Sequence, residues 1–148
     1  MPIADEVTAQ MKLAMKAKDE RRLVALRSMR AAFLNEMKKD GSSSISDEIC
    51  EALLRKLEKQ RKESIEAFAN AGREELAAAE RAELAVIQEF LPKLADEAKT
   101  REWIEVAIGQ TGAASAKDVG KLMGALMKAH KAEIDGDLAR RLAQERLG

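Results

Sequence analysis

Apolar residues return at every third or fourth position along most of this chain, the spacing that places them on one face of an α-helix. Ile3, Val7, Met11, Ala14 and Met15 share such a face and predict a first helix from about Ala4 to Ala17. Asp19 is placed to cap a second helix, since its carboxylate can accept from the free N–H groups of the first turn. That helix carries Leu23, Leu26, Met29/Arg30, Phe33/Leu34 and Met37, until Asp40-Gly41-Ser42-Ser43-Ser44 breaks the pattern as a loop. Ser46, followed by Asp47 and Glu48, opens a third helix with a cap and with acids where the helix dipole favours them. Its expected stripe is Ile49, Leu53, Leu57, Gln60, Ser64 and Phe68, and Glu51–Arg55, Glu58–Lys62 and Lys62–Glu66 have ion-pair spacing. The helix runs to about Ala71, with Gly72 suited to the left-handed residue that ends a helix. A fourth, from about Arg73 to Phe90, carries Leu76, Leu84 and Ile87 and stops at Leu91-Pro92.

Pro92-Lys93-Leu94 marks a predicted boundary, after which three shorter helices follow. Asp96 caps the first, which carries Trp103, Ile104, Ala107 and Ile108 and ends at Gly109 or Gly112. Ser115-Ala116-Lys117-Asp118 has the form of a capping box. The helix behind it has the cleanest stripe in the chain: Val119, Leu122, Met123, Leu126, Met127 and His130. Asp135-Gly136-Asp137 forms a turn and cap, and Leu138, Leu142 and Leu147 complete the last helix. The expected fold is all-α, with an N-terminal helical subdomain of about four helices over residues 1–92 and a small three-helix subdomain over 93–148.

Composition supports this picture. Ala, Glu, Lys, Leu and Arg supply 87 of the 148 residues, and aromatics only 3%, which favours helices over sheet. No apolar run approaches the roughly 18 residues of a membrane span. Asp5, Glu6 and Lys12 interrupt any signal-peptide core, and a lone cysteine suits a reducing compartment. The cytoplasm is the expected location, with neither a membrane nor DNA as partner. The 26 basic and 26 acidic residues cancel, which excludes a globally basic nucleic-acid binder but leaves room for a local basic face.

The residue inventory argues against several chemistries. One cysteine, Cys50, and one histidine, His130, far apart in sequence, supply no recognisable cluster of zinc ligands. They could in principle form a nucleophile–base pair, but Cys50 sits in a helical apolar pattern and His130 closes a helix end, where each has an ordinary structural use. Phosphate-binding glycine loops are absent, and Asp135-Gly136-Asp137 does not continue into a calcium loop. No catalytic residue, metal ligand or cofactor is predicted.

Two features remain as candidate binding surfaces. Gly120 and Gly124 stand one turn apart inside the cleanest helix, although glycine costs a helix about 1 kcal/mol relative to alanine. With Ala116 they form a smooth ridge that another backbone can approach, either a neighbouring helix or a nucleic acid. Lys117, Lys121 and Lys128 flank it and are suited to phosphate. The second is a basic patch in the span from Lys12 to Arg30, which holds seven basic residues against Asp19 and Glu20, with Arg22, Arg27 and Arg30 as its candidate contacts for an anionic partner.

Two stretches carry a family resemblance. One is Lys59-Gln60-Arg61-Lys62-Glu63-Ser64-Ile65-Glu66-Ala67-Phe68 with Ala71-Gly72-Arg73-Glu74-Glu75-Leu76, Glu80, Glu83 and Phe90-Leu91-Pro92. The other runs from Gly112 through Lys117-Asp118-Val119-Gly120-Lys121-Leu122-Met123-Gly124 to Met127. Over essentially its whole length the chain resembles the stand-alone YqeY-like proteins of the GatB/YqeY family. The resemblance implies two helical subdomains, the second like the tail of the B subunit of the glutamine-dependent tRNA amidotransferase, where it contacts the tRNA body. It also implies kinship with a tail found on some glutaminyl-tRNA synthetases. The family label, carbon–nitrogen ligase with glutamine as amido donor, belongs to a larger complex whose catalytic domains this chain lacks. The expected role is a tRNA-associated accessory module, with tRNA or a tRNA-dependent translation enzyme as partner; the alternative is a protein-interaction adaptor without RNA contact. One departure stands out: Glu133 in Ala132-Glu133-Ile134 is acidic where members often carry a basic residue.

Overall fold

A computed structural model describes all residues from Met1 to Gly148. Seven α-helices and one short 3₁₀ turn account for the ordered elements, and there is no strand. In chain order they are α1 (Ile3–Ala17), α2 (Glu20–Asp40), α3 (Asp47–Asn70), α4 (Glu74–Gln88), α5 (Glu97–Thr111), the 3₁₀ turn Ala116–Asp118, α6 (Val119–His130) and α7 (Gly136–Leu147). None is long and apolar enough to cross a membrane. The chain divides into two compact units, Met1–Leu91 and Pro92–Gly148.

In the first unit, α1 and α2 form a hairpin turned by Lys18, the one non-glycine residue with positive φ (55°), and started again by Asp19, whose carboxylate accepts from the Arg22 N–H. α2 lies at the centre. Leu23, Ala25, Leu26, Met29 and Phe33 point into a core completed by Val7 and Ala14 of α1, Cys50 and Leu54 of α3, and Val86 and Ile87 of α4. Ser46 caps α3 through the Ile49 N–H, and Gly72 (φ 72°) turns the chain into α4.

The buried face of α3 differs from the expected stripe. Cys50, Leu54 and Glu58 are inside, whereas Ile49 is 38% exposed, Gln60 is exposed, and Leu53 and Leu57 only edge the core. The helix is turned by one residue, about 100° about its axis. Two adjacent apolar columns were available, and the one chosen continues into polar residues that find partners. Glu58 accepts from Arg55 at 3.1 Å and from Gln88 of α4 at 3.2 Å, in place of the expected Lys62. Arg61 lies 2.9 Å from Glu83 and 3.4 Å from Glu80, held by charge without an aligned Nε–H bond. α4 is shorter than expected and rotates to match: Ala77 is buried, and Leu76 is 43% exposed.

In the second unit, Asp96 caps α5 through the Lys99 N–H, and the helix passes straight through Gly109 to end at Gly112 (φ 71°). The core combines Ile104 and Ala107 of α5, Val119, Leu122, Met123 and Leu126 of α6, and Ala139, Leu142, Ala143 and Leu147 of α7. The Ala95 N–H donates to the Glu133 carbonyl, tying the approach to α5 to the turn before α7, where Asp135 caps through the Asp137 and Leu138 N–H groups.

Candidate nucleic-acid interface

The start of α6 is built by a reciprocal use of backbone and carboxylate. Asp118 accepts from the Ala114 N–H at 2.9 Å and the Ser115 N–H at 3.2 Å. Those two bonds, with the Lys121 charge nearby, hold its carboxyl below the ordinary value of 3.8. The arrangement fixes where the 3₁₀ turn hands over to α6, and so which residues of α6 face outward. Val119, Leu122, Met123 and Leu126 take the core side.

Gly120 and Gly124 therefore face out. Both are exposed, and a Cβ added to either meets no atom within 4 Å. Neither has the positive φ that would demand glycine. Backbone conformation does not explain them, and neither does packing within the second unit. No helix of that unit covers the ridge at these positions. Ala116 continues the ridge on one side, and Met127, 37% exposed, ends it on the other.

Lys117, Lys121 and Lys128 are all exposed. On helical geometry Lys121 lies about 60–100° round from the two glycines and Lys128 about 40–80°. None of the three joins an ion pair, although the same unit contains Lys99–Glu102, Arg101–Glu97, Arg101–Glu145, Arg141–Glu145 and Arg146–Glu105. The result is a flat strip of exposed backbone edged by exposed ammonium groups outside any close ion pair, with Lys121 in electrostatic reach of Asp118, able to approach a polyanion closely.

The basic patch of the first unit is not one surface. Arg22 grips Glu89, the residue that ends α4, through both terminal guanidinium nitrogens, at 2.7 and 3.0 Å, and reaches Gln10 of α1 at 3.2 Å. The Glu89 hydrogen bond raises its pKa, with burial acting the other way. Arg22 is thus a tie between three helices. Arg27 and Arg30 are exposed and make no ion pair.

Cys50 and His130 each have an ordinary occupation. Cys50 is fully buried in the first unit, and burial pushes its thiol above the usual range. His130 stacks on Trp103, with ring centroids 3.7 Å apart and planes 5° from parallel, and its Nδ1 lies 3.3 Å from Glu133. Sequence reasoning missed this stack; the signal was an aromatic in the α5 stripe and a histidine closing the α6 stripe. Glu133, the acidic departure, is turned onto that histidine.

Comparison with curated proteins finds no match for this chain. The Yqey-like protein family matches residues 4–147, which takes in both compact units, the α3–α4 hairpin with its Arg61–Glu80–Glu83 cluster, and the glycine ridge of α6. By that match over nearly its whole length, the chain belongs to the YqeY-like protein family.

Proposed function

We propose that this protein is a cytoplasmic, tRNA-associated accessory module, related through its second unit to the tail of the tRNA amidotransferase B subunit, and that it contributes binding rather than amide transfer. Residues 93–148 are then the tail-like subdomain, and residues 1–92 a separate helical subdomain. The observation that carries this reading is the open ridge of Gly120 and Gly124, whose missing side chains serve no packing within the second unit. Close approach of a backbone from outside gives both glycines a use. The exposed Lys117, Lys121 and Lys128 make that backbone an anionic one, with the ammonium groups contacting phosphates and the glycines admitting the sugar–phosphate chain.

Titration with bulk tRNA at two salt concentrations tests it. Three lysine–phosphate contacts predict a slope of log K against log salt of about −2.7, or about 40-fold weaker binding between 50 and 200 mM salt. The double variant Lys117→Glu, Lys121→Glu is expected to remove about two units of that slope. No binding at low salt, or binding indifferent to the double variant, refutes the proposal.

A further inference from the structure

The first unit holds a surface unconnected with the α6 ridge. α1, α2 and the 41–45 loop enclose a cavity of about 290 Å3, floored by Phe33, and a shallower groove adjoins it along α2. Leu34, Met37 and Ser43 wall both. The loop is shaped by its own hydrogen bonds: Ser42 Oγ donates to the Ser44 carbonyl at 2.8 Å and accepts from the Ser44 N–H at 3.3 Å. Leu34 is 43% exposed at the middle of this surface.

Cations stand on either side of that apolar centre. Arg30 lines the cavity and Lys38 the groove, with Arg27 a turn earlier on α2. None of the three makes an ion pair, whereas Arg22, Arg55, Arg61 and Arg81 of the same unit all do. Asp5 is the one acid on the lining, on the α1 side. A nucleic-acid backbone would satisfy Arg30 and Lys38 but gain nothing from Leu34 and Met37. The cavity is at the lower edge of the roughly 300–1,000 Å3 of small-molecule sites, which suits an inserted side chain better than a whole metabolite. Arg30 and Lys38 are eight residues apart, about 12 Å along the helix, which matches carboxylates two turns apart on a second helix.

We infer that this groove docks an acidic amphipathic helix of a protein partner. An apolar side chain enters the cavity against Phe33 and Leu34, and flanking carboxylates meet Arg30 and Lys38. This is recognition of a helix in a groove, with apolar anchors repeating at three- and four-residue spacing. It stands in a different unit from the tRNA reading and does not depend on it.

The full chain is to be screened against a displayed random library of peptides about sixteen residues long, some four turns of helix. Enriched sequences are expected to be net acidic with apolar residues at helical spacing. Their synthetic forms, followed by fluorescence anisotropy, should lose at least about tenfold in affinity to Leu34→Asp and to Lys38→Glu. Both side chains are exposed, so thermal melting of the variants should match the parent. No enrichment, enrichment of neutral or basic sequences, or binding unchanged by Leu34→Asp overturns the inference. So does bulk tRNA binding by the Lys117→Glu, Lys121→Glu chain that is lost on adding Arg30→Glu, since the face would then belong to RNA.

Discussion

Replacing Gly124 by alanine should make the protein more stable and worse at its task. Gly124 is the sixth residue of the twelve in α6, is exposed, has an ordinary helical backbone, and leaves empty space where a methyl would go. No steric term opposes the change, so the helix-propensity difference acts alone and predicts a gain of about 1 kcal/mol. Gly120 lies in the first turn of α6, where propensity counts for less, and Gly120→Ala should add a smaller gain. Urea unfolding of the single and double variants measures this directly. By thermal melting, each kcal/mol raises the midpoint about 4–8 °C if the second unit melts alone, and about 2–4 °C if the chain melts as one. The same proteins, together with Gly124→Leu, go into the tRNA titration, where affinity is expected to fall as the side chain grows. Natural proteins keep destabilising residues where function needs them, and this opposition of stability and binding is the mark of such a site. Destabilisation by Gly124→Ala would show that the glycine serves internal packing. Stabilisation with tRNA affinity unchanged through Gly124→Leu would show that nothing approaches the ridge.

Three further outcomes follow from the geometry. Asp118 has its carboxyl held below 3.8 by the Ala114 and Ser115 N–H groups, so its stabilising effect is complete above that pH and is lost as pH falls through the lowered folded value; Asp118→Ala should flatten the acid side of the stability profile below about pH 4. Arg22→Ala and Glu89→Ala, combined in a double-mutant cycle, should give a coupling of about 1 kcal/mol, at the upper end for a half-exposed pair because the contact is bidentate, and 1 M salt should shrink it. Arg61→Ala leaves Glu80 and Glu83 facing each other at about one-fifth exposure and should cost about 1–2 kcal/mol by denaturant unfolding, between an exposed and a fully buried pair, with Arg61→Lys restoring part of it.

The helices and most of their ends were legible because the signals are local. Asp19, Ser46, Asp96 and Asp135 cap where a short polar side chain precedes an apolar run. Val119, Leu122, Met123 and Leu126 bury where the spacing put them, since α6 offers one apolar column and no rival. α3 offers two adjacent columns, and only its neighbours decide between them. The misread face followed from that: the spacing pairs Glu58 with Lys62 on the same helix, whereas the fold brings Gln88 to Glu58 and sets Glu80 and Glu83 beside Arg61. The tie from Arg22, a member of the basic patch, to Glu89 was not legible for the same reason, because that partner lies 67 residues away. Of the candidate site, the glycines and lysines could be named from sequence. Their openness to solvent could not, because a glycine pair four apart reads alike whether a neighbouring helix covers it or not.

Each compact unit contains a reporter side chain that occurs once in the protein. The only thiol, Cys50, is sealed in the first, and the only indole, Trp103, is half-buried in the second with His130 stacked on it. An unlabelled sample thus carries two native reporters, one chemical and one optical. Trapping of the sulfhydryl by a disulfide reagent dates the opening of one half, while the emission maximum dates the opening of the other. Coincident curves would describe a single cooperative body, and separated curves two bodies sharing a chain.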